Sequence, residues 1–130
     1  MKAALPFADS EFDLSYALSV LTHLSLPLQK RSLSELARTL KPDGRLAISL
    51  HGSESAQVLP RELKTVFDRG EIVVATYGPQ GSNFVNAFHP FERAVELFSP
   101  HFVVESFLPS GASGNPPQDL YLLRRRNATR

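Results

Sequence analysis

Phe12-Asp13-Leu14-Ser15-Tyr16-Ala17 and Arg45-Leu46-Ala47-Ile48-Ser49-Leu50, with what lies between them, decide the fold of this chain. The first stretch alternates apolar and polar residues in part and is entered from the polar turn Ala8-Asp9-Ser10-Glu11, which predicts a strand to about Ala17 or Leu18. Pro27 then suits a first helical turn, where its missing N–H has no partner to lose. Leu33, Leu36, Ala37 and Leu40 recur at helical spacing, which predicts an amphipathic helix ending near Lys41. Pro42-Asp43-Gly44 reads as a turn, and the second stretch as a strand with few polar interruptions. A strand, helix and strand within about forty residues form a βαβ unit, so the two strands are expected to be parallel with a right-handed crossover.

Outward from this unit, Pro60 opens a second helix with Leu63, Val66 and Phe67 on one face and Gly70 past its last turn. Ile72-Val73-Val74-Ala75 reads as a short strand, and Gly78-Pro79-Gln80-Gly81-Ser82-Asn83 as a turn-rich loop of the kind that connects elements or contacts ligands. Pro90 opens a third helix, with Phe91, Ala94, Val95 and Phe98 expected to face inward and Pro100 to stop it. Phe102–Leu108 and Leu120–Leu123 are then two strands joined by a loop from Pro109 to Asp119, most economically an antiparallel terminal hairpin. The fold class is α/β, and residues 1–130 read as a single domain without a linker or repeat.

Composition narrows the function classes. A net charge of +1 gives no field that favours nucleic acid or an anionic membrane, and Arg124, Arg125, Arg126 and Arg130 read as a solvated terminus. The absence of cysteine excludes a disulfide framework, a thiolate metal site and a cysteine nucleophile. No stretch has the length and apolarity of a membrane span or a signal peptide, so a cytoplasmic location is expected.

In open α/β sheets, ligands lie beyond the carboxyl ends of the strands. Here those ends supply Ala17-Leu18-Ser19 running into Thr22-His23, and His51-Gly52-Ser53. His23 reads either as a loop-bonding residue or as a site residue; His51 stands beside a glycine that admits close approach, and His89 precedes the helix-opening Pro90. His101 follows Pro100 and reads as surface. The histidines lack the spacing of a metal site, so no metal is expected. A G-x-S-x-G elbow and the glycine-rich phosphate loops are both missing.

Three ordered segments carry a resemblance: Leu5-Pro6-Phe7-Ala8-Asp9-Ser10-Glu11-Phe12-Asp13-Leu14, Ser19-Val20-Leu21-Thr22-His23-Leu24, and Glu35-Leu36-Ala37-Arg38-Thr39-Leu40-Lys41-Pro42-Asp43-Gly44-Arg45-Leu46. Together they resemble the second half of the class I S-adenosylmethionine-dependent methyltransferases, whose pattern is LPF-x-D-x-x-FD, then V-x-T-H-L or L-x-H-L, then R-x-LKPGG. Asp43 stands where the family usually has its first glycine. Phe88-His89-Pro90 and Gln118-Asp119-Leu120-Tyr121-Leu122-Leu123-Arg124 resemble the small-molecule branch.

The resemblance implies a partial Rossmann-like sheet corresponding to strands four to seven of the family, the seventh antiparallel between the fifth and sixth, with helices on the faces. It implies S-adenosylmethionine as cofactor at an incomplete site and a small-molecule acceptor, with no nucleic acid or membrane partner. Ala17, Leu18, Ser19 and His23 would border the methionine end of the cofactor, with Leu5 and Phe7 nearer the adenine. His51, His89, Ser82, Asn83 and Asn86 would face the acceptor, and His51 and His89 are the candidate catalytic residues. The glycine-rich cofactor half of the family pattern is missing, which implies an uncovered edge on the first strand. Either that edge pairs with a second copy or a separate subunit, or the chain is a truncated part of a longer enzyme; the second is the expectation. The alternative function is a catalytically inactive interaction module that uses the same edge.

Overall fold

The computed structural model describes residues 4–76 and 85–127. Its elements are β1 (Phe12–Ala17), α1 (Leu26–Thr39), β2 (Leu40–Leu50), α2 (Arg61–Asp68), β3 (Val73–Thr76), β4 (Val85–Phe88), α3 (Phe91–Phe98), β5 (Phe102–Ala112) and β6 (Gln118–Arg125). One sheet runs β1-β2-β6-β5, and β3 and β4 form a separate pair. β1 and β2 are parallel, with Ala17 opposite Ile48, as the βαβ reading requires. β6 is antiparallel to both β2 and β5 and lies between them, the order that the resemblance implies for the last strands.

Local chemistry explains most boundaries. Proline stands at the start of each helix, and Gly70 follows α2 with φ 90°, a left-handed conformation that a residue without Cβ adopts freely. The expected turn at Pro42-Asp43-Gly44 is instead an irregularity inside β2, where the pairing jumps from Phe12 opposite Leu40 to Leu14 opposite Arg45. Asp43 takes φ 62° there, and its short polar side chain makes that conformation tolerable. The hairpin strands are longer than expected, because β5 continues through Ala112 across a second irregularity. Val85–Phe88, to which the sequence assigns no element, is a strand antiparallel to β3, and Ala87 and Phe88 bury their side chains there.

Leu33, Ala37, Leu46, Ile48, Leu50, Phe98, Phe102, Tyr121 and Leu123 form the main core between the sheet and its helices. On α3, Leu97 is buried with Ala94 and Phe98, whereas Phe91, expected inside, is 43% exposed and rests on Phe107 at 4.6 Å. A smaller cluster of Ala56, Leu59, Phe67, Val73 and Phe88 seats α2 under the β3–β4 pair. Tyr121 is fully buried, with Phe107 and Phe98 at ring distances of 4.9 and 5.2 Å, and its hydroxyl has no partner among the described residues. An unpaired buried hydroxyl costs free energy that a ring alone does not. Tyr121→Phe is therefore expected to stabilise the chain by about 1 kcal/mol, read as a rise in melting temperature. A fall would mean that the hydroxyl is bonded.

Candidate functional site

The parallel strands β1 and β2 end side by side, and the residues after them define one rim of the sheet. Ala17 is buried, but Leu18 and Ser19 are exposed, and Ser19 has φ 59°. Its amide donates to Ser49 Oγ on β2 at 2.8 Å, which ties the two strand ends together. Thr22 is buried behind it, in the 3-10 turn Leu21–His23.

His23 donates from Nδ1 to the Val85 carbonyl at 3.1 Å and so holds the start of β4 against the loop after β1. His51 follows β2, and its ring stacks on Phe88 at 4.9 Å while its carbonyl accepts the His89 amide at 2.8 Å. Burial, helped by the nearby His23, lowers the His51 pKa, so the imidazole is neutral near pH 7. A neutral, half-buried imidazole at the rim is able to accept a proton.

His89 was expected to face an acceptor, and the structure places it elsewhere. It is fully buried, with Nε2 donating to Gln29 Oε1 at 2.7 Å. Gln29 in turn donates from Nε2 to the Leu24 carbonyl at 2.8 Å. The backbone carbonyl at Leu24 sets the Gln29 amide orientation, and that orientation sets the histidine tautomer. His89 therefore braces β4 to the start of α1 from inside. Asn86 lies between these anchors in β4, half-exposed; Ser82 and Asn83 fall outside the described residues.

Leu5 and Phe7 lie on the other side of β1, along a shallow groove of about 270 Å³ shared with Phe12, Leu14, Tyr16 and Leu36. Arg38 on α1 fixes this segment: it donates to the Phe7 carbonyl at 2.9 Å, the Leu5 carbonyl at 3.2 Å and Asp9 at 2.7 Å. Glu35 accepts the Leu5 amide at 2.8 Å and Arg38 Nε at 2.9 Å, and these bonds hold its carboxyl below the usual range. A larger cavity of about 400 Å³ lies at the opposite end of the sheet beside His101, Arg125 and Arg126. There Arg125 and Arg126 donate to the Leu40 and Ser99 carbonyls, so these guanidiniums serve the ends of α1 and α3. No cluster of potential metal ligands occurs among the described residues. No helix among them is long and apolar enough to cross a membrane.

Three features escaped the sequence reading. Ser49 and Gln118 meet at the rim from β2 and β6, and Gln29 is the partner that buries His89. Their types carry no local signature, and pairings across 60 and 69 residues leave no periodicity to detect. Gly52 was expected to admit a ligand; its open face is instead filled by the Asp119 carboxylate.

Residues 1–48 match the family described as "Methyltransferase domain". No curated protein matches the chain. Among solved structures, an S-adenosylmethionine-dependent methyltransferase from Methanosarcina mazei is 19% identical with a TM-score of 0.63, over 96% of this chain and 64% of that one. The S-adenosylmethionine-dependent methyltransferase from Mesorhizobium loti is 14% identical with a TM-score of 0.60, over 93% of this chain and 65% of that one. The Burkholderia thailandensis 1,6-didemethyltoxoflavin-N1-methyltransferase, solved with 1,6-didemethyltoxoflavin and S-adenosylhomocysteine, is 18% identical with a TM-score of 0.60, over 93% of this chain and 46% of that one. The chain thus spans less than two thirds of the length of these structures. Residues 1–48 thus match the methyltransferase domain, and the chain as a whole shares the fold of S-adenosylmethionine-dependent methyltransferases, with its last strands in their order.

Proposed function

We propose that this chain supplies the acceptor side of an S-adenosylmethionine-dependent methyltransferase acting on a small molecule, and that a glycine-rich cofactor half packs along β1. The observation that carries the reading is the outer edge of β1, which no strand pairs among the described residues. Leu14 and Tyr16 on it are 61% and 74% exposed, and Leu18 and Val20, just past its end at the rim, are 51% and 48% exposed. An edge strand with that much apolar surface calls for a covering partner.

S-adenosylmethionine supplies an electrophilic methyl on a sulfonium, which a nucleophilic acceptor atom attacks in line while the sulfur keeps the electron pair of the broken bond. The residues present suit such a group. The apolar groove at Leu5, Phe7 and Phe12 fits a planar base, and Ala17, Leu18 and Ser19 offer backbone and hydroxyl groups to the polar end. In this reading His51 takes the acceptor's proton, and its neutral form near pH 7 supports that role. Asn86 faces the acceptor beside it, while Ser82 and Asn83 are proposed for the same task. His23 acts through the loop that it ties to Val85.

Calorimetry with S-adenosylhomocysteine tests the proposal. Clear binding is expected when a glycine-rich methyltransferase half is supplied with the chain, and binding no tighter than about 1 mM for the chain alone, since in this proposal the other half supplies the remaining contacts. Amide shifts should centre on 5–7 and 17–23. No binding in either arrangement would refute it, and a defined homodimer that buries β1 would favour the interaction-module reading.

A further inference from the structure

We infer that Gln118 is a positioning residue that holds the Ala17–Ser19 segment in the shape required at the methionine end of the cofactor. The inference rests on the function proposed above and concerns a residue from the far end of the chain. β6 runs antiparallel to β2, so its first residues arrive at the rim where β1 and β2 finish; Asp119 lies opposite Leu50. Gln118 there closes a ring of hydrogen bonds. The Ser19 amide donates to Ser49 Oγ at 2.8 Å, Ser49 Oγ donates to Gln118 Oε1 at 2.8 Å, and Gln118 Nε2 donates to Ser19 Oγ at 3.0 Å. Each group gives and receives in one direction around the ring, so losing one member unsettles the other two.

The ring encloses a strained residue. Ser19 sits at φ 59°, which for a residue with a Cβ persists only when its surroundings hold it there. Ser49 is 1% exposed and cannot turn to water for a replacement partner. Thr22 Oγ1, at 3.5 Å from Ser19 Oγ, is too distant to substitute for Gln118. The side-chain amide of Gln118 is thus what couples the last strand to the turn after the first. Relaxation of Ser19 would swing its neighbours Leu18 and Val20, both on the exposed face, away from the proposed cofactor path.

The test compares Gln118→Leu, Ser49→Ala, the double variant and Gln118→Glu in the full chain. Two readouts are used: hydrogen exchange at the Ser19 amide, and S-adenosylhomocysteine affinity with the cofactor half supplied. Gln118→Leu is expected to speed Ser19 exchange and weaken binding about tenfold, the scale of one lost polar interaction. The double variant should bind no more weakly than the worse single one, because both break the same ring. Gln118→Glu should restore affinity near neutral pH, since a carboxylate accepts from both serine hydroxyls, and a purely packing role would show no such rescue. Unchanged affinity in Gln118→Leu, or losses that simply add, would overturn the inference. If the unsubstituted chain binds nothing while Ser19 exchange still responds, the functional reading itself has failed, and Gln118 is left with a structural role only.

Discussion

Gly52→Ala is expected to cost this chain about 3 kcal/mol, as overpacking plus a disturbed charged hydrogen bond. A Cβ at Gly52 would lie 1.7 Å from Asp119 Oδ2 and 2.4 Å from its Cγ, so the carboxylate cannot stay. Nor is it free to leave. Asp119 is 7% exposed and accepts the Ser110 amide at 2.9 Å, a bond that fixes the irregular end of β5. The Gly52 carbonyl also accepts the Ala56 amide at 2.9 Å, so a backbone shift at Gly52 disturbs the next turn. The midpoint of urea unfolding measures the loss. Adding Asp119→Ala to Gly52→Ala removes the clash and should recover part of it. A single-variant loss well under 1 kcal/mol would show that the carboxylate moves freely.

Acid is expected to destabilise the fold through His89 before the carboxylates titrate. Burial, with a smaller contribution from His51, lowers the His89 pKa from 6.5 to about 4. A folded-state pKa below the unfolded value means that the unfolded chain takes up the proton first. The contribution is therefore fully present above about pH 6.5 and is lost as pH falls toward 4, by on the order of 3 kcal/mol in all. His51 and His101 are shifted the same way, while the raised Asp119 pKa acts oppositely lower in the range. Proton NMR isolates the group directly: the His89 ring resonance should titrate near pH 4 and stay flat through pH 6–7. A midpoint near 6.5 would show an imidazole in contact with water and would return His89 to the list of residues able to meet a substrate.

The two histidines show why site reading from sequence stops where it does. His51 and His89 each stand at the end of a strand, and their neighbours Gly52 and Pro90 do not tell which of the two is internal. The difference comes from Gln29, a residue 60 positions from His89 that supplies a hydrogen bond inside the core. The β3–β4 pair was half visible for a related reason. Val73–Thr76 has a recognisable β-branched run, but Val85–Phe88 is four residues long and is a strand only because β3 and the hydrophobic cluster beneath it receive it.

By itself, the sequence determined the parallel β1–α1–β2 unit, the proline starts of the helices and the terminal hairpin, while the order of the last strands came only from the resemblance to the methyltransferases that its motifs carry. These follow from short-range periodicity, fixed backbone angles and an ordered motif, all of which act along the chain. Tertiary structure alone decided that His89 is internal, that Asp119 fills the face of Gly52, and that Gln118 meets Ser19 across 99 residues. Those contacts depend on which strand lies beside which, and a polar side chain records nothing locally about the partner that will satisfy it.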